Sequence, residues 1–372
     1  MLQMSYFGPG KTMVHVIKDE DGREQLIVVL KYTFNADAQG RVTFEEESPT
    51  EPLTVDLHEG DAATSSIRKP SDAFHEKPGT DVLLVGHAHA PRGKNASSVD
   101  VSLRMGPIDK TLRAHGLRVW QWGTFGGLSP GPSRPIHEPV PLLWELAWGG
   151  LDLSDPGELA GDFRNTLGRG VAVNPKKLVG QPAAQIEYPD NPIGRGENKP
   201  AGFGALCRHW DPRRAFAGTY DERWEETKLP YPPDDFDVRF NISAPADQWS
   251  AVPLRGDEAV EVKGATPEGL WRFQLPRMAP GFSSVVLGQR SEHRTHLDTV
   301  LIDADAMRVE LTFRVAFPMP RKYEMVERLI LVERQVPSVT TGPLAVTTGP
   351  LAVTTGPRGR LSLVLDEGAS SG

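Results

Sequence analysis

Several groups of residues have types and spacing that chemistry could use. His87 and His89 stand two apart in the run DVLLVGHAHA, Asp81–Ala90. Alternate residues of a strand share a face, and two imidazoles on one face can grip a metal ion. A third ligand would have to come from His293, His296 or Asp298, because the chain has neither an HExxH string nor a pair of cysteines. The plainer account is two polar side chains on a sheet. Gly127–Gly131 (GLSPG) spells a nucleophile elbow around Ser129. An elbow needs a helix after the serine, and Pro130, Pro132 and Pro135 forbid one. Gly10-Lys11-Thr12 ends like a phosphate loop, but Ser5 stands where that loop needs its first glycine. Gly194 and Gly196 lack the spacing and the βαβ setting of a dinucleotide turn. Asp234, Asp235 and Asp237 supply carboxylates, yet their spacing separates no acid from a base. The expectation is a protein that is not an enzyme and carries no cofactor.

The elements that would position these residues are strands. Gln25–Phe34 (QLIVVLKYTF) has β-branched content and no helical period, and the turn Asp19–Gly22 joins it in a hairpin to Met13–Lys18. Val99, Val101, Leu103 and Met105 alternate with Asp100, Ser102 and Arg104, which predicts a half-buried strand with one wet face. Leu297–Phe317 alternates in the same way and predicts an antiparallel hairpin. With 37 glycines and 33 prolines, short strands and long loops are favoured over long helices. The fold class expected is mainly β: antiparallel sheets, sandwich-like, as one large domain or two packed lobes, with long ordered loops and little helix.

Between about residues 128 and 237 the chain is rich in loops, with a helix expected only near Pro141–Ala147. Trp144, Trp148, Trp210 and Trp224 fall in this stretch, and disordered segments are poor in aromatics. Ordered loops pinned by buried rings are therefore expected, as a binding face or a lid. The β domain is placed at residues 1–335 and a flexible tail at 336–372. That tail repeats VTTGPLA from Val339, and Gly-Pro in every unit rules out a coiled coil.

A net charge of −8 with no Lys/Arg block argues against a nucleic-acid partner. A single cysteine, Cys207, allows no internal disulfide and fits a reducing compartment. Gly8, Pro9 and Gly10 interrupt the region where a signal peptide needs an apolar core, and no apolar run reaches the ~20 residues that span a bilayer. The cytoplasm is the expected location, without membrane insertion.

Read in order, the loops resemble a known family. Ser65–Asp72 (SSIRKPSD) and Lys77–Gly86 (KPGTDVLLVG) look like its opening signature. Leu117–Trp120 (LRVW), Pro141–Gly150 (PLLWELAWGG) and Arg164–Gly170 (RNTLGRG) follow in the expected sequence. Pro200–Gly204 (PAGFG), Trp210–Arg213 (WDPR) and Gly218–Asp221 (GTYD) with Trp224 come next. Asp235–Asp237, Phe240-Asn241, Ala244-Pro245 and Leu297–Thr299 complete the series. The chain thus resembles the bacterial family known as domain of unknown function 2169 from about residue 12 to 320. Thr166 departs from the family's string, which has proline there.

The resemblance implies an adaptor or chaperone of type VI secretion. Such a protein binds a toxic effector in the donor cytoplasm and helps load it on the spike, whose parts are VgrG-type and PAAR-type tip proteins. It implies no catalysis. Trp, Tyr and Arg dominate interface hot spots, so the partner-binding candidates are Arg164, Asn165, Arg169, Trp210, Arg213, Tyr220, Asp221 and Trp224. The competing account has these residues holding the loops in shape. Two other functions compete: a metal-dependent hydrolase using His87 and His89 with His296, and a carbohydrate-binding β-sandwich with tryptophans in a row.

Overall fold

The run Glu24–Ala36 (EQLIVVLKYTFNA) forms the longest strand, 13 residues, and is the spine of a central sheet. In a computed structural model, the described residues are 3–19, 21–123, 126–319, 326–332 and 360–361. Across the central sheet the strands run Trp249–Ser250, Thr80–Val85, His296–Asp303, Arg308–Pro318, Glu24–Ala36 and Lys11–Lys18, with Val42–Phe44 paired to the far end of the spine. All neighbours are antiparallel except Thr80–Val85 and His296–Asp303, which are parallel. Both predicted hairpins are present, in the register His15↔Ile27 and Leu311↔Val300.

The two faces of this sheet differ. Leu26, Val28, Leu30, Tyr32 and Phe34 share one face with Val300, Ile302, Leu311 and Phe313. They join one continuous core with Val101, Leu103, Met105, Val260 and Trp271 of a second antiparallel sheet. That sheet has the order Ile186–Glu187, Ile108–His115, Ser98–Met105, Ala259–Lys263, Leu270–Gln274. Each such aliphatic side chain contributes about 1.5–3 kcal/mol when taken from water. The opposite face carries Lys31, Thr33, Glu310, Thr312 and Arg314, yet all of them are buried. Residues 45–79 cover them, through Lys31–Asp72 (2.6 Å) and Lys69–Glu310 (2.5 Å). Nearby Lys77–Asp81 (2.8 Å) and Arg314–Asp298 (2.6 Å) are also buried, and Arg314 Nη1 donates to Phe74 O at 2.8 Å.

A third sheet has the order Gln289–Arg294, Gly281–Val286, Val326–Val332, Gln3–Phe7, Arg360–Leu361, with Gln3–Phe7 parallel to Val326–Val332. The VTTGPLA repeats, and the predicted tail apart from Arg360–Leu361, lie outside the described residues. The described residues are mainly β, in several mostly antiparallel sheets without a closed barrel among them.

Three local expectations change. DVLLVGHAHA is not one strand: Thr80–Val85 ends at Gly86, whose φ of 135° is open to glycine, and His87–Ala88 turns to pair with Val140–Pro141. The helix expected near Pro141–Ala147 is a single 3-10 turn, Trp144–Leu146. The α-helix among the described residues lies elsewhere, at Glu222–Thr227, started by the Asp221 side chain accepting from Trp224 N. No helix among the described residues is long and apolar enough to cross a membrane.

Candidate partner-binding cleft

Trp144 sits on that 3-10 turn and is held from behind. Its ring stands edge-on to Trp210, with centroids 5.7 Å apart, and its Nε1 donates to Gly204 O at 3.2 Å. A Cβ at Gly202 would come within 2.7 Å of the same ring, so only glycine lets the PAGFG backbone pass. Asn165 is fully buried and donates from Nδ2 to Trp144 O (2.8 Å) and Trp148 O (3.0 Å). Trp210 Nε1 donates to Thr166 Oγ1 at 2.8 Å. Thr166 thus supplies a hydroxyl that satisfies a buried indole. Arg213 donates to Leu206 O (2.6 Å) and Phe240 O (3.0 Å), and burial lowers its pKa to about 10, which still leaves it charged at neutral pH.

In front of this scaffold lies an open cleft of about 570 Å³. Its walls are Trp144, Tyr188, Pro200, Leu206, Pro212 and Pro245. Charged groups sit at its rim: Arg164, Asp190, Lys199, Asp211 and Asp247. Arg164 is closed into ion pairs with Asp162 (2.8 Å) and Glu197 (3.0 Å); the bond from Asp162, against some burial, raises its pKa. Behind the cleft, Lys110 Nζ is buried and donates to Asp247 Oδ1 (2.8 Å), Gln248 Oε1 (2.7 Å) and Gly202 O (2.6 Å). Burial lowers the Lys110 pKa to about 8, partly offset by Asp247. The Tyr188 hydroxyl donates to Asp247 Oδ2 at 2.9 Å, and burial, followed by the charges of Asp247 and Asp190, pushes its pKa up. The Asp247 carboxylate is therefore fixed in place by two donors on separate strands of chain.

The eight predicted residues divide. Arg164 lines the cleft. Asn165, Trp210 and Arg213 are not surface residues; they turn inward to backbone carbonyls, a hydroxyl and a ring, and so position the wall. Arg169 is half-buried, with its amide donating to Ala147 O. Tyr220 and Trp224 pair edge-on at 4.7 Å, with Tyr220 exposed and Asp221 capping the helix that carries Trp224, away from the cleft lining. Sequence reading missed Tyr188, Asp190, Lys199 and Asp247, which flank no periodic run, and Lys110, a lysine on the apolar face of its strand with Ile108 and Leu112.

The histidines are not assembled. His87 Nδ1 meets Asp305 Oδ2 at 2.7 Å beside a smaller cavity of about 120 Å³. Ser66, which also lines that cavity, is engaged by Glu145 and by Trp144 N. His89 is half-buried, and burial lowers its pKa. His296 opens the strand whose far end, Asp303, pairs with Val85. At 3.3 Å per residue that puts it roughly 20 Å from the His87 end. Among the described residues no three His, Cys, Asp or Glu side chains form a group that could hold a metal. Of the eight tryptophans only Trp122 is strongly exposed, so the row of rings a carbohydrate platform needs is not formed.

No curated protein and no solved structure matches the chain. A family model described as "Uncharacterized protein conserved in bacteria (DUF2169)" matches residues 21–314, a span that holds the second sheet, the central sheet apart from Lys11–Lys18 and the end of Arg308–Pro318, and every residue lining the cleft. The chain belongs to the DUF2169 family.

Proposed function

We propose that this protein is an adaptor of type VI secretion, binding a toxic effector in the cytoplasm and presenting it to the spike and its PAAR-type tip. The observation that carries the reading is convergence. Strings scattered over a hundred residues, PLLWELAWGG, RNTLGRG, PAGFG, WDPR and AP, each put a residue on one cleft: Trp144, Arg164, Pro200, Pro212 and Pro245. Apolar walls with a charged rim suit recognition of another chain, where a desolvated centre supplies affinity and the rim supplies specificity. The experiment is co-purification from cells expressing this chain with the proteins encoded by its neighbouring genes. A stable complex is expected with the native chain, and the rim variant Asp190→Lys with Lys199→Glu, both exposed, should lose it while the thermal melt is unchanged. If no neighbouring protein is retained by the native chain, the adaptor reading fails.

A further inference from the structure

The rim charges and the wall chemistry of the cleft say more about what enters it. Arg164 is already occupied by Asp162 and Glu197, and Asp211 is shared with Arg214 at 3.4 Å. Asp190 lines the cleft two residues along the chain from Tyr188, exposed and in no ion pair among the described residues. Asp247, which accepts from the Tyr188 hydroxyl, is a second carboxylate of the lining, and the buried Lys110 pairs with Asp247 alone. The lining therefore presents a fixed carboxylate at the Tyr188 hydroxyl and, on Asp190, one outside any ion pair among the described residues. Lys199 is the rim cation left outside an ion pair among the described residues. The walls around this point are prolines and aromatic rings, and the cleft is open rather than closed.

We propose that the cleft binds an extended, proline-bearing segment of a partner protein, with one arginine of that segment placed between Asp190 and Asp247. A guanidinium presents several donors in a plane and can bridge two carboxylates, which a single ammonium does less well. Prolines on either side keep the segment extended, so little entropy is lost when it lies on Tyr188, Pro200 and Pro245. The proposal rests on reading this cleft as the partner-binding site, and it names the chemistry of the partner.

The test needs no client protein. The full chain is titrated with the capped heptapeptide PLPRPLP and with its analogue carrying neutral citrulline for arginine. One saturable site is expected, with the arginine peptide bound about fivefold more tightly than the citrulline peptide, as for a partly exposed ion pair. Asp190→Asn should erase that difference, and Lys199→Gln should enlarge it by removing a competing cation; both side chains are exposed, so the fold is unaffected. Absence of saturable binding, equal affinity for the two peptides, or indifference to Asp190→Asn would overturn the proposal. A chain that binds PLPRPLP but retains no neighbouring protein sinks the adaptor reading alone. One that retains the effector but not the peptide sinks this inference alone.

Discussion

At the scale of single residues, burial decides what a polar group does. His15 lies on the outer strand of the central sheet with both ring nitrogens buried and without a hydrogen-bond partner among the described residues. Burial, then the Arg314 charge, lowers its pKa from 6.5 to about 4. The folded ring takes up its proton only near pH 4, the unfolded ring already near 6.5, so between those values the unfolded chain binds more protons. The stabilisation from a neutral His15 is complete above pH 6.5 and lost as pH falls towards 4. Thermal melts should show a smaller drop from pH 6.5 to 4 in His15→Leu than in the native chain. An equal drop would assign acid sensitivity to other groups, among them Glu187, whose pKa is held at about 2 by His115 and Arg118 against its burial. The same principle moved Asn165, Trp210 and Arg213 from the expected surface to the inside. Residue type marked them as important, and only their partners show that they serve the wall.

At the scale of elements, the central sheet is held to its cover by charge. An alternation such as Glu310, Thr312, Arg314 against Val309, Leu311, Phe313 is the pattern of a strand with one wet face. Here that face is dry, because residues 45–79 bring opposite charges onto it. Burial raises the pKa of Asp298, but Arg314 and Lys77 outweigh it and leave the carboxyl below its usual range. Removing one partner of such a pair strands the other in a dry site. Asp72→Ala should cost about 3–5 kcal/mol, read as a shift in urea midpoint, because Lys31 loses its carboxylate and Leu53 N its acceptor. Lys31→Met with Asp72→Leu should cost less than the single change. A single substitution that is harmless would mean the cover is held by packing alone. The strands themselves were legible, since period-two patterns and β-branched content survive any tertiary context. The polarity of a face was not, since it depends on what lies over it.

At the scale of the molecule, distant parts of the chain complete each sheet. Thr80–Val85 lies against His296–Asp303, and Gln3–Phe7 against Val326–Val332. Removing residues 1–9 leaves the Val326–Val332 backbone unpaired along one side. The expected result is a lower melting temperature and self-association visible by light scattering, because an uncovered strand edge templates pairing. Binding of PLPRPLP should persist, since the cleft draws on residues 144–247. Loss of peptide binding together with the strand would show the two regions to be coupled.

What the sequence determined by itself is what local physics can carry. Alternating strands, glycine and proline as punctuation, ringed loops in the middle, and a series of strings in order established a mainly β member of its family. The cleft was only half legible. Trp144, Arg164, Pro200, Pro212 and Pro245 stood in those strings, but Tyr188, Asp190, Lys199 and Asp247 carried no local mark. Lys110 shares the apolar face of its strand with Ile108 and Leu112, and only the packed chain shows its ammonium reaching Asp247. Which residues meet is settled by long-range pairing between sheets, and whether a charge is free or spent is settled by its neighbours there. Both are properties of the packed chain that no window of sequence contains.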